Sequence, residues 1–145
     1  MKNLIIEDSF VPITKREIEI FEINNKIILP LYLKDFFLKY NGASIKEYLY
    51  SGYIINSFLP LLKMEYRSSV EDFLPWIQNP EFLVGRYDII PFTIDPGGIP
   101  CLVSIGGEDE GVVYYSAVGL DEKPLRKLAN SFEEFINGLK SEEEI

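Results

Sequence analysis

Apolar and polar positions along this chain recur with two different periods, and each change of period marks the border of an element. From Leu29 to Gly42, LPLYLKDFFLKYNG, the residues Leu33, Phe36, Phe37 and Tyr40 stand at i, i+3, i+4 and i+7, on one face of a 3.6-residue helix. Pro30 suits the first turn, where its missing N–H is not needed, and Asn41-Gly42 can take the left-handed backbone that ends a helix. Leu31 and Leu38 point roughly the opposite way, so this helix carries a second, smaller apolar patch that needs a cover. An earlier helix is the expected cover, with a partner contact as the alternative. That helix opens on the capping box Thr14-Lys15-Arg16-Glu17 and runs to about Asn24, with Ile18, Phe21 and the aliphatic stem of Glu22 facing inward. Only a few residues separate the two helices, so they should pack as neighbours.

Beyond Gly42 the helical period is lost. Residues 46–62 are rich in Tyr, Ile, Phe and Leu around the turn signal Ser51-Gly52, and read as one or two short strands. Ser68-Ser69-Val70-Glu71-Asp72 offers two overlapping cap patterns for a short helix anchored by Phe73 and Trp76; Pro75 must enter near its first turns or break it. Asn79-Pro80 then signals a loop. A period of two follows. Ile90, Phe92 and Ile94 alternate, Asp95-Pro96-Gly97-Gly98 turns, and Cys101, Val103 and Ile105 alternate again, which predicts a hairpin. A second turn from Gly106 to Gly111 leads into Val112-Val113-Tyr114-Tyr115 and completes a three-stranded antiparallel meander. Pro91 and Pro100 lack an N–H and must sit at a strand end, at a bulge or facing no partner.

The helical period returns once more. Ser131-Phe132-Glu133-Glu134 is a third capping box, and Phe132, Phe135, Ile136 and Leu139 form the stripe of a helix ending near Lys140. Acidic residues disfavour a helix C-terminus, so the tail from Ser141 to Ile145 is expected to fray. Helices, strands, helix, meander, helix is the order of an α+β domain, here an antiparallel sheet with hairpins packed against helices, spanning residues 1–145 as one domain.

Composition agrees with this and narrows the chemistry. At 145 residues, 47% hydrophobic, with ten Phe and nine Tyr, the chain has ample material for a packed core. No apolar run approaches the roughly 18 residues of a membrane helix, and Glu7-Asp8 interrupts Leu4-Ile5-Ile6 before a secretory segment can form, so a soluble cytoplasmic protein is expected. The single Cys101 has no internal disulfide partner and, on an apolar alternating face, reads as a small buried hydrophobe rather than a reactive thiol. The formal charge of −9 argues against nucleic acid and anionic membrane as partners, because phosphate binding needs a cationic footprint. It favours a basic partner, or serves solubility alone. No histidine occurs, which removes Ser-His and Cys-His nucleophile pairs and imidazole metal sites in their usual forms. Carboxylate chemistry remains open and would require two Asp or Glu about 5 to 10 Å apart in one cleft. Gly97-Gly98 and Gly106-Gly107 neither precede a helix nor carry the Lys of a phosphate loop.

Two groups of residues stand out as candidate protein-binding sites. Glu108, Asp109 and Glu110 place three negative charges on a predicted hairpin tip, either to meet basic residues of a partner or simply as a solvated turn. Tyr48, Tyr50 and Tyr53 lie at near-alternating positions, and Tyr brings large contact area with a hydroxyl that tolerates partial wetting; equally, Tyr suits strands. Asp95 reads as a side-chain cap for its own turn.

Three segments in this order resemble the SUKH superfamily, which includes the yeast Smi/Knr regulator of glucan synthesis and many bacterial immunity proteins. They are Leu29-Pro30 with Phe36 and Tyr40-Asn41-Gly42; Ile90-Pro91-Phe92 with Asp95, Gly97-Gly98 and Val113-Tyr114-Tyr115; and residues 129–135, ANSFEEF, with Leu139. The chain departs from the family pattern at Ile99-Pro100 and at Ser116-Ala117, and carries Leu31-Tyr32 where relatives often have acidic residues. The resemblance implies a non-enzymatic protein-binding domain with no catalytic, metal-ligating or cofactor-binding residues. It implies either an immunity protein that neutralises a cognate toxin or a regulatory scaffold of the cell-wall type, and leaves the oligomeric state open. An acidic inhibitor fits the cationic groove of a nuclease-type toxin.

Overall fold

Residues 1–81, 85–117 and 123–145 are described in a computed structural model. Helix α1 spans Lys15–Asn25, and its capping box is made as the spacing predicts: Glu17 N–H donates to Thr14 Oγ1 at 3.1 Å while Thr14 N–H donates to the Glu17 carboxylate at 3.0 Å. Helix α2 spans Leu31–Tyr40 and buries the predicted face of Leu33, Phe36, Phe37 and Tyr40. Of the Asn41-Gly42 pair only Gly42 is left-handed, at φ +65, and a Cβ there would lie 2.8 Å from Val11 Cγ2. Asn41 does a different job. Buried, it donates its amide to Val11 O and accepts the Leu61 N–H, each at 2.9 Å, tying the N-terminal segment and the third strand region to the end of α2.

Strands β1 (Leu49–Tyr50) and β2 (Tyr53–Ile54) form a small hairpin over Ser51-Gly52. The larger sheet is antiparallel with five strands in chain order: β3 (Ser57–Phe58), β4 (Ile89–Ile94), β5 (Pro100–Ser104), β6 (Val113–Ser116) and β7 (Leu125–Ala129). The predicted meander is its centre. Residues 46–62, expected to hold one or two short strands, hold three of two residues each, β1, β2 and β3, while β7 has no counterpart in the predicted pattern because Leu125-Arg126-Lys127-Leu128 at an edge has no clean alternation. Both prolines fall where a missing N–H does least harm, Pro91 beside a bulge in the β4–β5 register and Pro100 as the first residue of β5.

The alternating residues Ile90, Phe92, Cys101, Val103, Val113 and Tyr115 join the main core with α1, α2 and the last helix. Phe36 is its hub, with ring centroids of Phe37, Phe58 and Phe132 at 5.2, 4.8 and 5.1 Å. On the second face of the sheet Ile89 and Leu102 pack with Ile77 of helix α3, which spans Val70–Gln78. Ser69 and Asp72 form its capping box, and it runs three residues beyond Pro75. Its buried anchors are Val70, Leu74 and Ile77, not the Phe73 and Trp76 expected, because this aliphatic stripe is the one that meets the sheet and the two aromatics flank it half-buried.

Helix α4 covers Phe132–Asn137, shorter than predicted. Past it, Lys140 pairs with Leu49 through reciprocal backbone bonds of 2.8 and 3.0 Å, which commits that backbone to the β1 hairpin. Its capping box is half formed, since the Glu134 carboxylate takes the Asn130 N–H, one residue early. The acidic tail does not fray here. Glu142–Glu144 wind into a 3₁₀ turn, where Lys46 meets Glu143 at 3.0 Å and Lys2 meets Glu144 at 3.6 Å. These lysines are remote in sequence, so local helix-end electrostatics did not foretell them.

Candidate interaction surface

Each predicted site residue has a different fate. In the Gly106–Gly111 turn Glu108 and Glu110 are exposed, but Asp109 is folded inward. Its carboxylate accepts Arg86 Nη1 and Nη2 at 2.8 and 2.9 Å, Ser104 Oγ at 2.8 Å and the Tyr114 hydroxyl at 2.6 Å. Arg86 also donates Nε to Asp88 at 2.8 Å. The guanidinium bonds hold the Asp109 carboxyl well below the usual carboxylate range, and burial, reinforced by Asp109, pushes the Tyr114 hydroxyl up to about 12. The acidic tip is thus two outward charges standing on an internal ion-pair staple.

The tyrosines separate likewise. Tyr50 is buried with its ring 4.5 Å from Phe135, and its hydroxyl donates to Leu128 O at 3.1 Å; it belongs to the core and presents no surface. Tyr48 is half-buried with its hydroxyl bonded to Glu142, which raises its pKa. Tyr53 stacks on Tyr115 at 4.9 Å and accepts Arg126 Nη1 at 2.8 Å. Tyr115 donates to Asp95 at 3.0 Å, and Asp95 caps its own turn by accepting the Ile99 N–H at 2.8 Å. Tyr48 and Tyr53 are each partly exposed. Burial holds Cys101 4% exposed and pushes its thiol up to about 12.

A third surface lies where the two N-terminal helices meet. The Glu22 carboxylate accepts the Leu29 N–H at 2.8 Å and pairs with Lys34 at 3.6 Å, so the α1–α2 connection is held from within. Leu38 is partly buried against the core, but Leu31 is 72% exposed, beside Ile23 at 68% and Ile28 at 84%. The expected cover over Leu31 is therefore missing in this chain. Two depressions that share Glu19, Glu22 and Lys34 run along this face, one lined by Ile23 and Ile28 and the other by Leu31 and Leu38. Exposed aliphatics set around the shared charges Glu19, Glu22 and Lys34 make the mixed apolar and polar surface that protein contacts use. The run Ile27-Ile28-Leu29 held the signal for it: in an extended segment Ile27 and Leu29 go inward and the residue between them must go out.

Among the described residues no group of three or more His, Cys, Asp or Glu is placed to hold a metal ion. Among the described residues, the two carboxylates whose pKa is displaced, Asp109 and Glu144, both move down, opposite to what a general acid needs. A family model described as the SMI1 / KNR4 family (SUKH-1) matches residues 12–138. The chain belongs to the SMI1 / KNR4 (SUKH-1) family. No curated protein matches it at a significant level. As a SUKH-1 member it carries the marks read from sequence in working positions: Tyr40-Asn41-Gly42 closes α2, Asp95 and Gly97-Gly98 make the β4–β5 turn, and Ser131 to Phe135 build α4. Members of this family are in general protein-interacting and non-catalytic. No helix among the described residues is long and apolar enough to cross a membrane.

Proposed function

We propose that this SUKH-1 chain acts in the cytoplasm as a single-domain immunity protein that neutralises a cognate toxin, basic and nuclease-type, by direct binding. The observation that carries this reading is the exposed aliphatic face of Ile23, Ile28 and Leu31. Leu31 stands where relatives often carry an acidic residue, so the face is a property of this chain and suits recognition of one particular partner. The formal charge of −9 supplies fast approach to a cationic groove, while the aliphatic face supplies the desolvated centre of the interface. Glu108, Glu110, Tyr48 and Tyr53 are candidates for additional contacts.

Co-expression with the toxin-like product of a neighbouring gene tests the proposal. The wild-type chain restores growth and co-purifies with the toxin; an Ile28→Asp, Leu31→Asp double variant keeps its fold and loses both. Recovery of a resident cell-wall or signalling enzyme, with no rescue by any genomic neighbour, would replace immunity with the regulatory role.

A further inference from the structure

A polar cleft of about 440 Å³ lies on the side of the molecule where the N-terminal segment, β3 and the start of α3 converge, lined by Asp8, Ser44, Asn56, Ser57, Arg67 and Ser68 among others. Arg67 is its one cation. Nη1 donates to Gly42 O at 3.1 Å, and Nη2 to Phe58 O at 3.3 Å and more loosely to Ser57 Oγ at 3.4 Å. These fix the guanidinium plane but use only three of its five N–H groups, and no carboxylate lies within ion-pair distance of it among the described residues. Burial lowers its pKa, the sign of a cation whose lost hydration is not made good by a counter-charge.

The hydroxyls around it have donors to spare. Ser44 Oγ accepts two backbone N–H groups, from Asp8 at 3.1 Å and Ser9 at 3.0 Å, which occupies its lone pairs and leaves its own hydrogen to point elsewhere. Ser57, 8% exposed, accepts from Arg67, and its hydrogen is likewise unspent. A single half-buried guanidinium facing uncommitted hydroxyl donors is complementary to an oxyanion. The charge decides which one. Arg67 offers a single positive charge that Asp8 on the rim already opposes, so one negative charge is tolerated best, and the second charge of a phosphate would meet Asp8 and a chain of formal charge −9.

We infer that this cleft is a binding subsite for a carboxylate group, seated on a free N–H of Arg67 and held by the hydroxyls of Ser44 and Ser57. The same chemistry is offered by a small free carboxylate and by a protein carboxylate, and the test separates them.

The ¹⁵N-labelled chain is titrated at constant ionic strength with sodium acetate, N-acetylglycine, N-acetylaspartate amide and inorganic phosphate, reading the Arg67 Nε–H and the Ser44 and Ser57 amides. Acetate shifts these signals saturably, and phosphate binds more weakly. Tighter binding of N-acetylglycine marks a C-terminal carboxylate as the source, of the aspartate amide a side chain, and of acetate a free acid; each upholds the carboxylate assignment. Ser57→Ala weakens acetate by about 10-fold through loss of a hydrogen bond to charge. Asp8→Asn, an exposed change that leaves the fold alone, tightens it about 2-fold. Arg67→Lys keeps the charge, loses the fork and abolishes saturation; should that variant fail to fold, the Asp8 and Ser57 variants still decide. Equal shifts with sodium chloride, tighter binding of phosphate than acetate, or no response to Asp8→Asn and Ser57→Ala would overturn the assignment.

Discussion

Removing the Asp109 carboxylate measures how much the β5–β6 turn depends on its staple. In Asp109→Ala the four hydrogen bonds from Arg86, Ser104 and Tyr114 vanish, and Arg86 is left with Asp88, Ser104 Oγ and Gly106 O. Hydrogen bonds to a charge contribute about 1.5–3 kcal/mol each, but they share one carboxylate and do not add. The pair is also partly wetted, with side chains 29% and 24% exposed, so solvent screening holds the total to about 3 kcal/mol. With a urea slope of about 2 kcal/mol per molar, the unfolding midpoint falls by about 1.5 M at an unchanged slope. Exposed Glu108→Gln serves as the control and leaves the midpoint in place. The pH dependence gives a second reading. Because the folded pKa of Asp109 lies below its ordinary value of 3.8, the unfolded chain takes up the proton first as pH falls. The group's stabilisation is therefore complete above about pH 4 and is lost as pH drops through the folded pKa, so the wild-type and Asp109→Asn stability curves converge in acid. A midpoint shift for Asp109→Ala no larger than that of Glu108→Gln, or a stability gap to Asp109→Asn that widens below pH 4, would refute the staple.

Phe36→Ala empties the hub between Phe37, Tyr40, Phe58, Phe92 and Phe132 and should cost about 3–5 kcal/mol in chemical denaturation, with ring-current shifts lost throughout the core. Cys101, whose thiol burial pushes up to about 12, should resist iodoacetamide at pH 8 in the native chain and be alkylated fully in urea; rapid labelling of the folded protein would contradict the packing of β5.

The helices and the meander were legible because their signals are local. A capping box needs four consecutive residues, and the Leu33-Phe36-Phe37-Tyr40 stripe needs eight, so both survive without knowledge of the rest of the chain. What escaped depends on distant partners. Asp109 looks like any acidic loop residue until the β4–β5 pairing brings Arg86, just before β4, beside it, and Tyr50 looks like an interface tyrosine until Phe135 packs on it. The acidic tail is held by Lys2 and Lys46, neighbours only in three dimensions. Leu31 shows the limit from the other side: periodicity placed it correctly on the outer face of α2, but nothing local said that α1 would stop short of covering it.

The main aromatic cluster is closed by α4, which is synthesised only after the whole meander. Phe132 sets its ring against Phe36 and Phe92, and Phe135 against Phe92 and Tyr50, from a segment some hundred residues downstream of α2. A nascent chain that has released the whole meander but still holds α4 inside the ribosome thus carries an open, greasy sheet face with strand edges beside it. Translational pauses before residue 132, or messages truncated there, would yield aggregation-prone fragments rather than a weakened protein. A cell that relies on this chain would then gain by passing quickly through the codons of α4.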